Sequence, residues 1–545
     1  MGRLDAACVP RRGQCGGVLN TETPALERHG ATMGGTWRSS VAVAAGLLVA
    51  LAVIVNAYSY TMITAIPLIQ SDAWIFLDGF LGKFIREGFS FGQLFAQADA
   101  ANVNLPLQKA ILFFHTRYFG MDFRVEGLFG TASGIALVLV LARAAAARSI
   151  RTWSVPEAWL LAALALSLLS LNSTNLYTWP LAGLWFLPIL VAAGYMWVAF
   201  SFPRALAALI GASFLLGVLL DEVAYPVYLA TLGALVLAPH WRAPRQFIIL
   251  LAAGVAGIAA SRLFYWKMAA LGEAAMAVVT GAEVTPPLAN LLGPGMWKAV
   301  IIPLSDSVIH LHNLEPMFGA SGPTMAMLIG VLVALAHAWF WWRVVFGLRR
   351  DPPPAARMAT LLAAGMMLLF YALVAGIVIQ RVSLFGFEYL HHPRYVLFYQ
   401  LNTAALALLI YRDVRYALPA KLRVPYGALA MALVLALGGL QFRLSVRAWE
   451  QAKYVSSYVA GVAKTMGKLQ ANPMVQIECA DIMTICQFPP DKRRQLMELL
   501  TRQKLNLFSP DFQAFHRLQP GSEMQVEPVA VPEPEPEPAP EPEPA

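Results

Sequence analysis

The stretch SVAVAAGLLVALAVIVNAYSYTMITAIPLIQSDAWIFLD, residues 40–78, decides the class of this protein. From Val41 to Ser71 no side chain is charged. An α-helix needs roughly 20 apolar residues to cross a hydrocarbon layer about 30 Å thick, and this run supplies them. Ala, Leu and Val dominate without the two-residue alternation of a barrel strand, so the run reads as a membrane helix. Tyr58 and Tyr60 close it, with no compact small-residue cleavage site, so it reads as an uncleaved span rather than a signal peptide.

The rest of the chain repeats the pattern. Of 545 residues, 58% are apolar and only 13% charged, against the roughly 25% charged of an ordinary soluble domain. Mean hydropathy is +0.58. That balance excludes a cytosolic enzyme, global disorder, a collagen-like chain and a disulfide scaffold. Eleven apolar stretches are long enough to read as spans: about 39–60, 125–142, 156–172, 179–200, 205–220, 223–239, 246–263, 324–346, 358–380, 395–411 and 425–442. The expected fold is therefore an all-α integral membrane protein of about eleven transmembrane helices.

Net charge is +8. In a soluble protein such a balance suggests nucleic acid; here it follows the positive-inside rule. With the N-terminus cytoplasmic, nineteen Lys and Arg fall in the inner segments, among them Arg143, Arg343, Arg357, Arg412, Arg415, Lys421 and Arg423. The outer loops between spans hold ten. Eleven crossings put everything after 443 outside, in the periplasm of a bacterial inner membrane. The expected organisation is a flexible tail at 1–38, with Met33 as an alternative start, and a membrane domain at 39–443. A small external domain at 444–520 and a disordered Pro/Glu tail at 521–545 complete it.

Three outer segments are long. In the first, about 61–124, Phe80, Leu81, Phe84, Ile85 and Phe89 recur at helical spacing against Lys83, Arg86 and Glu87, which predicts a helix lying at the interface. The second, about 264–323, is broken by Pro and Gly and carries His310 and His312. The third is the C-terminal region. Cys479 and Cys486 lie there, and a periplasmic setting favours a bridge between them as much as two buried thiols. The chain has no CxxC, HExxH, Walker A or GxGxxG motif before a helix.

Candidate chemistry lies on polar groups near the outer face. Asp72 beside Trp74 and Phe76 reads as a desolvated general base or as a helix N-cap, and Asp78 has the same two readings. In FEYLHHPRYVLF, His391, His392 and Arg394 form a cationic group suited to a lipid phosphate, or a snorkelling anchor within an aromatic belt. In LNSTNLYTWP, Asn172, Asn175, Tyr177 and Trp179 suit a sugar, or simply a polar turn. Asp221 and Glu222 in a short turn read as a cation site or as caps. Lys109, His115 and Arg117 are expected to bring positive charge near Asp72.

The segments SDAWIFLDGFLGKFIREGFSFGQLFAQADAANVNLPLQ, NLYTWPLAGLWFL and HPRYVLF resemble bacterial members of the GT-C superfamily of polytopic membrane glycosyltransferases, over about residues 40–445. That superfamily includes protein mannosyltransferases, aminoarabinose transferases and oligosaccharyltransferase catalytic subunits. GT-C enzymes often pair two carboxylates in the first outer loop, whereas this chain has Ser71-Asp72, a single one. No cofactor is required by the sequence, and a divalent metal is without support.

The resemblance implies a GT-C-like bundle and transfer of a sugar from a polyprenyl-phosphate donor to a glycan or lipid acceptor. Asp72 would be the base; Arg394, with Lys109 or Arg117, would stabilise the departing lipid phosphate. His391, His392, Asn175, Trp179, Asp221 and Glu222 would complete the substrate site. The competing expectations are a flippase or transporter for a lipid-linked sugar, an O-antigen-type polymerase or ligase using Arg262 or Arg381, and a non-enzymatic scaffold.

Overall fold

The structure is a computed structural model. It describes residues 33–95, 106–146, 153–202, 205–237, 244–271, 295–346, 353–475 and 484–520. The N-terminal residues before Met33, Cys8, Cys15, Cys479 and the Pro/Glu tail lie outside these.

Among the described residues the secondary structure is helical, with no strand. Long apolar runs leave the backbone no water to bond, so each segment satisfies its own N–H and C=O groups as a helix. In chain order the main elements are α1 (Met33–Thr64), α2 (73–87), α3 (Pro106–Tyr118), α4 (Phe123–Ala146), α5 (Val155–Leu168) and α6 (Phe186–Ser201). Then come α7 (Leu206–Leu220), α8 (Ala224–Leu237), α9 (Pro244–Leu271), α10 (Lys298–Asp306), α11 (Leu311–Phe318) and α12 (Gly322–Phe346). The last are α13 (Pro354–Ile377), α14 (Val396–Arg412), α15 (Ala420–Ala471), α16 (Pro490–Arg502) and α17 (Pro510–His516). Eight helical stretches among the described residues are long and apolar enough to cross a membrane. The chain is an all-α membrane protein.

Small residues set the helix contacts. A Cβ on Gly217 would strike Ser261, and one on Gly257 would strike Ser213 and the backbone of Ile210. Both numbers rise together along the contact, so α7 and α9 run parallel. The helix between them, α8, must run back. The reversal falls at Asp221, whose φ of 49° departs from helical geometry and ends α7. Close approach through Gly and Ser drives such packing where burial from water contributes little between helices. Gly130 fits against the backbone of Gly183 in the same way. At the start of α5, Ser154 and Glu157 form a capping box, and Pro156 occupies the first turn, where its missing N–H costs nothing.

The two faces of the bundle differ. On one face, Arg343 and Arg412 both donate to the buried carboxylate of Asp413, at 2.9 and 2.8 Å. The opposite face carries the long connections, and the C-terminal region packs on the first of them. Asn506 Nδ2 donates to the carbonyls of Pro67 and Met121, Lys492 pairs with Asp78, and His516 meets Asp122 at 2.8 Å. The segment after 443 therefore shares a face with Pro67, Asp78, Met121 and Asp122. Helix α15, at 52 residues, spans about 78 Å at 1.5 Å per residue, so it extends well beyond a hydrocarbon layer. Its upper part carries the C-terminal appendage.

Candidate functional site

The connection 169–185 holds the loop-rich face together. Asn172 is its centre. Its Nδ2 donates to the carbonyl of Asp306 at 2.8 Å, and its Oδ1 accepts from the backbone N–H of His310 at 2.7 Å. Asn313 Nδ2 donates to the Asn172 carbonyl at 2.7 Å, and Ser173 Oγ donates to the carbonyl of Pro393 at 2.8 Å. The sugar-binding reading of Asn172 therefore does not fit: its amide is consumed in tying this connection to residues 306–313, while Ser173 ties it to Pro393. Tyr177 is fully buried and serves as core.

Around that joint lies a titratable cluster. Asp306, at the end of α10, is fully buried. His391 Nδ1 lies 2.9 Å from its carboxylate. His310 Nε2 lies 2.6 Å from the His391 carbonyl and 3.7 Å from the Asp306 carboxylate. The Nδ1 of His310 accepts from the backbone N–H of His312 at 3.2 Å. Both His310 nitrogens are thus occupied, with the proton on Nε2. Lys298 pairs with Glu388 at 2.5 Å, and Glu388 lies 3.9 Å from His391 Nε2. Burial works against a charged His391, but the hydrogen bond and charge of Asp306, with Glu388, outweigh it and raise its pKa. Neighbouring His392 is driven down to about 4 by burial, with Arg394 and His310 adding repulsion. The pKa values of these adjacent histidines are thus shifted in opposite directions.

Arg394 hydrogen-bonds the Tyr389 hydroxyl and lies over the rings of Tyr389 and Tyr395, at 5.8 and 5.3 Å. Its Nε is buried with no hydrogen-bond partner among the described residues. The guanidinium keeps donor capacity for a ligand.

The other side of the 169–185 connection meets the first long loop. The backbone N–H of Ile66 donates to the Thr178 carbonyl at 3.0 Å. Asn175 Oδ1 and Trp179 Nε1 are buried there without a partner among the described residues, as is Trp74 Nε1. Buried polar groups are rarely left so, and a polar substrate would satisfy them.

Asp72 heads α2. It occupies the N-cap position but makes no side-chain cap bond. Among the described residues its carboxylate has no hydrogen bond or ion pair, and it is half-buried. Ser71, immediately before it, has a left-handed φ of 48°, an uncommon state for a residue with a Cβ. Asp78, six residues on, is held by Lys492 and is structural.

The expected positive charge around Asp72 is arranged otherwise. Lys109 is fully buried, with its ammonium 5.7 Å from the Phe80 ring centroid. Burial lowers its pKa to about 8, although the Asp221 charge pulls it up. His115 turns away to Glu126, 2.6 Å off, with both side chains buried. Arg117 is exposed and stacks over Tyr118 at 6.0 Å. Asp221 is paired with Arg262 at 2.5 Å, so it is neither a cap nor an open cation site, while Glu222 is exposed. Among the described residues no group of three or more His, Cys, Asp or Glu is placed to hold a metal ion.

Sequence reading had missed Asp306, Asn313, Lys298, Glu388 and Glu126. Asp306 carried one signal, its placement four residues before His310 on a helical pattern. No family model, no curated protein and no solved structure matches the chain.

Proposed function

We propose that this protein is a membrane glycosyltransferase that moves a sugar from a polyprenyl-phosphate donor to an envelope glycan or lipid acceptor, with Asp72 as general base. One observation carries the reading. Asp72 is a half-buried carboxylate with no cap bond and no ion pair among the described residues, whereas Asp78 is neutralised by Lys492. A carboxylate left unengaged at the mouth of a loop-rich face is free to take a proton.

In the reaction, the acceptor hydroxyl gives its proton to Asp72 as its oxygen bonds the anomeric carbon. The bond from that carbon to the lipid phosphate breaks, and the phosphate leaves with the electron pair. Arg394 is the main cation for the leaving phosphate, through its unoccupied Nε. Lys109, held near Asp221, adds field rather than contact. Asn175 and Trp179 are suited to the sugar by their unpartnered polar atoms. A polymerase built on Arg262 is less favoured, because Asp221 already holds that guanidinium.

The proposed setting is a bacterial inner membrane crossed eleven times, with the N-terminus cytoplasmic and the C-terminal domain periplasmic. Cys486 is disulfide-bonded, which suits an oxidising compartment. The reversal at Asp221 favours counting α7 and α8 as separate crossings.

The test is transfer by the purified full chain supplied with polyprenyl-phosphate sugars. Asp72→Asn should lower turnover by about 100-fold or more while donor binding persists. Transfer unchanged in Asp72→Asn would remove the base assignment. Absence of transfer by the native chain with every donor would favour a flippase.

A further inference from the structure

A second polar feature lies away from these residues, in a cleft between α1 and α15. At its foot the two helices are pinned together. Asn56 Nδ2 donates to Ser445 Oγ at 3.0 Å, Trp449 Nε1 donates to Asn56 Oδ1 at 2.9 Å, and the Tyr60 and Trp449 rings meet edge-on at 5.2 Å. Above that clamp lies a half-open pocket of about 370 Å³. Ile63, Trp449 and Val459 give it apolar walls, Arg124 and Lys453 give it two permanent cations, and His516 of the C-terminal appendage roofs it.

Charge and depth both specify an occupant. Among the described residues no carboxylate lines the pocket. The nearby Asp122 is already engaged, accepting from the Arg124 backbone N–H at 3.0 Å and meeting His516 at 2.8 Å. The Nε of Arg124 is buried without a partner among the described residues. Below the cations, Met62 and Ile63 are exposed at the end of a membrane-spanning helix, where acyl chains would lie. A small anion with an apolar tail, entering sideways from the leaflet, matches each of these features. A free anion would leave the apolar flank unused.

We propose that this cleft binds the headgroup phosphate of an anionic phospholipid from the surrounding leaflet, with Arg124 and Lys453 as its counter-ions. The lipid would tie α1, α4 and α15 to the C-terminal appendage. The inference does not depend on the glycosyltransferase reading.

Native mass spectrometry of the detergent-purified full chain tests it, with phosphatidylglycerol, phosphatidylcholine and a polyprenyl monophosphate as probes. Phosphatidylglycerol should be retained about tenfold better than phosphatidylcholine, as two charge-assisted contacts predict. Arg124→Gln with Lys453→Gln should erase the preference, whereas Arg494→Gln with Arg502→Gln, an equal charge loss at exposed positions of α16, should not. Ser456→Trp fills the cleft without changing charge and should erase it too, which guards against a misfolded double variant. Equal retention of both phospholipids, or a preference that survives both cleft changes, would overturn the proposal. Preference for the polyprenyl monophosphate over phosphatidylglycerol would also overturn it and make the cleft a substrate site.

Discussion

Asp413 and Asp306 are fully buried carboxylates on opposite faces of the bundle, and the two have different partners. Asp413 is held by two guanidiniums, Arg343 and Arg412. Asp306 is approached by two imidazoles, His391 and His310. Guanidinium stays charged at any physiological pH, so the Asp413 cluster is a fixed lock. Imidazole titrates near neutrality, so the Asp306 cluster can change charge without unfolding. The fixed lock lies on the face of short connections, and the adjustable one lies among the long loops that carry the candidate chemistry.

Replacing Asp413 with Ala should break the comparison most severely. It strands two guanidiniums, one of them fully buried. The expected loss is about 3–5 kcal/mol, read as a fall in melting temperature in detergent. That loss should be the same at pH 6.5 and pH 8. Dependence on pH would show that the cluster is not a fixed lock.

Asp306→Asn should cost less, about 1–3 kcal/mol, because neutral imidazoles tolerate the change. Here pH should matter. The His391 pKa is raised in the folded protein, chiefly by Asp306 working against burial. A raised pKa adds stability that is complete below the unfolded value near 6.5 and fades as pH climbs through the folded value. Between pH 6.5 and 8 the native chain should therefore lose stability that His391→Gln does not lose. His392, depressed to about 4 in the folded chain, gives an opposite trend near pH 6.5, but it does so equally in the native chain and in His391→Gln and cancels from the comparison. Parallel stability curves for the native chain and His391→Gln would contradict the adjustable cluster.

The smallest effect belongs to the Asp78–Lys492 pair, which is partly open to water. Lys492→Gln should lower the melting midpoint only slightly, by less than about 1 kcal/mol, and less still at high salt. A larger loss would mean that the appendage depends on this pair rather than on its apolar contacts. Those contacts include Leu496, Met497 and Leu500, buried with Leu68, Ile69 and Leu77.

Much of the fold was legible because apolar length and charge placement act locally. The residues 40–78 displayed a span and an acidic motif, and the spacing of Phe80, Phe84 and Lys83 foretold a helix in the first loop, which appears as 73–87. The candidate site was legible only in part. Arg394, His391, Asn175 and Trp179 were picked out by residue type, yet Asp306 and Glu388, which face His391, and Lys298, which pairs with Glu388, were not. His391 and Asp306 are 85 residues apart, and no local pattern encodes that contact.

By itself the sequence determined that the chain is a helical membrane protein with its polar chemistry gathered in a few loops, because transfer of side chains between water and hydrocarbon depends on residue type alone. Tertiary structure alone decided which polar groups are spent and which remain free. Asn172, Asp78 and Asp221 all looked available in the sequence, and each is consumed by a partner distant in the chain, while His115 turns to the nearby Glu126. Asp72 and the Nε of Arg394 are left without protein partners among the described residues. Availability depends on what packing brings within hydrogen-bond distance, and only the folded chain fixes that distance.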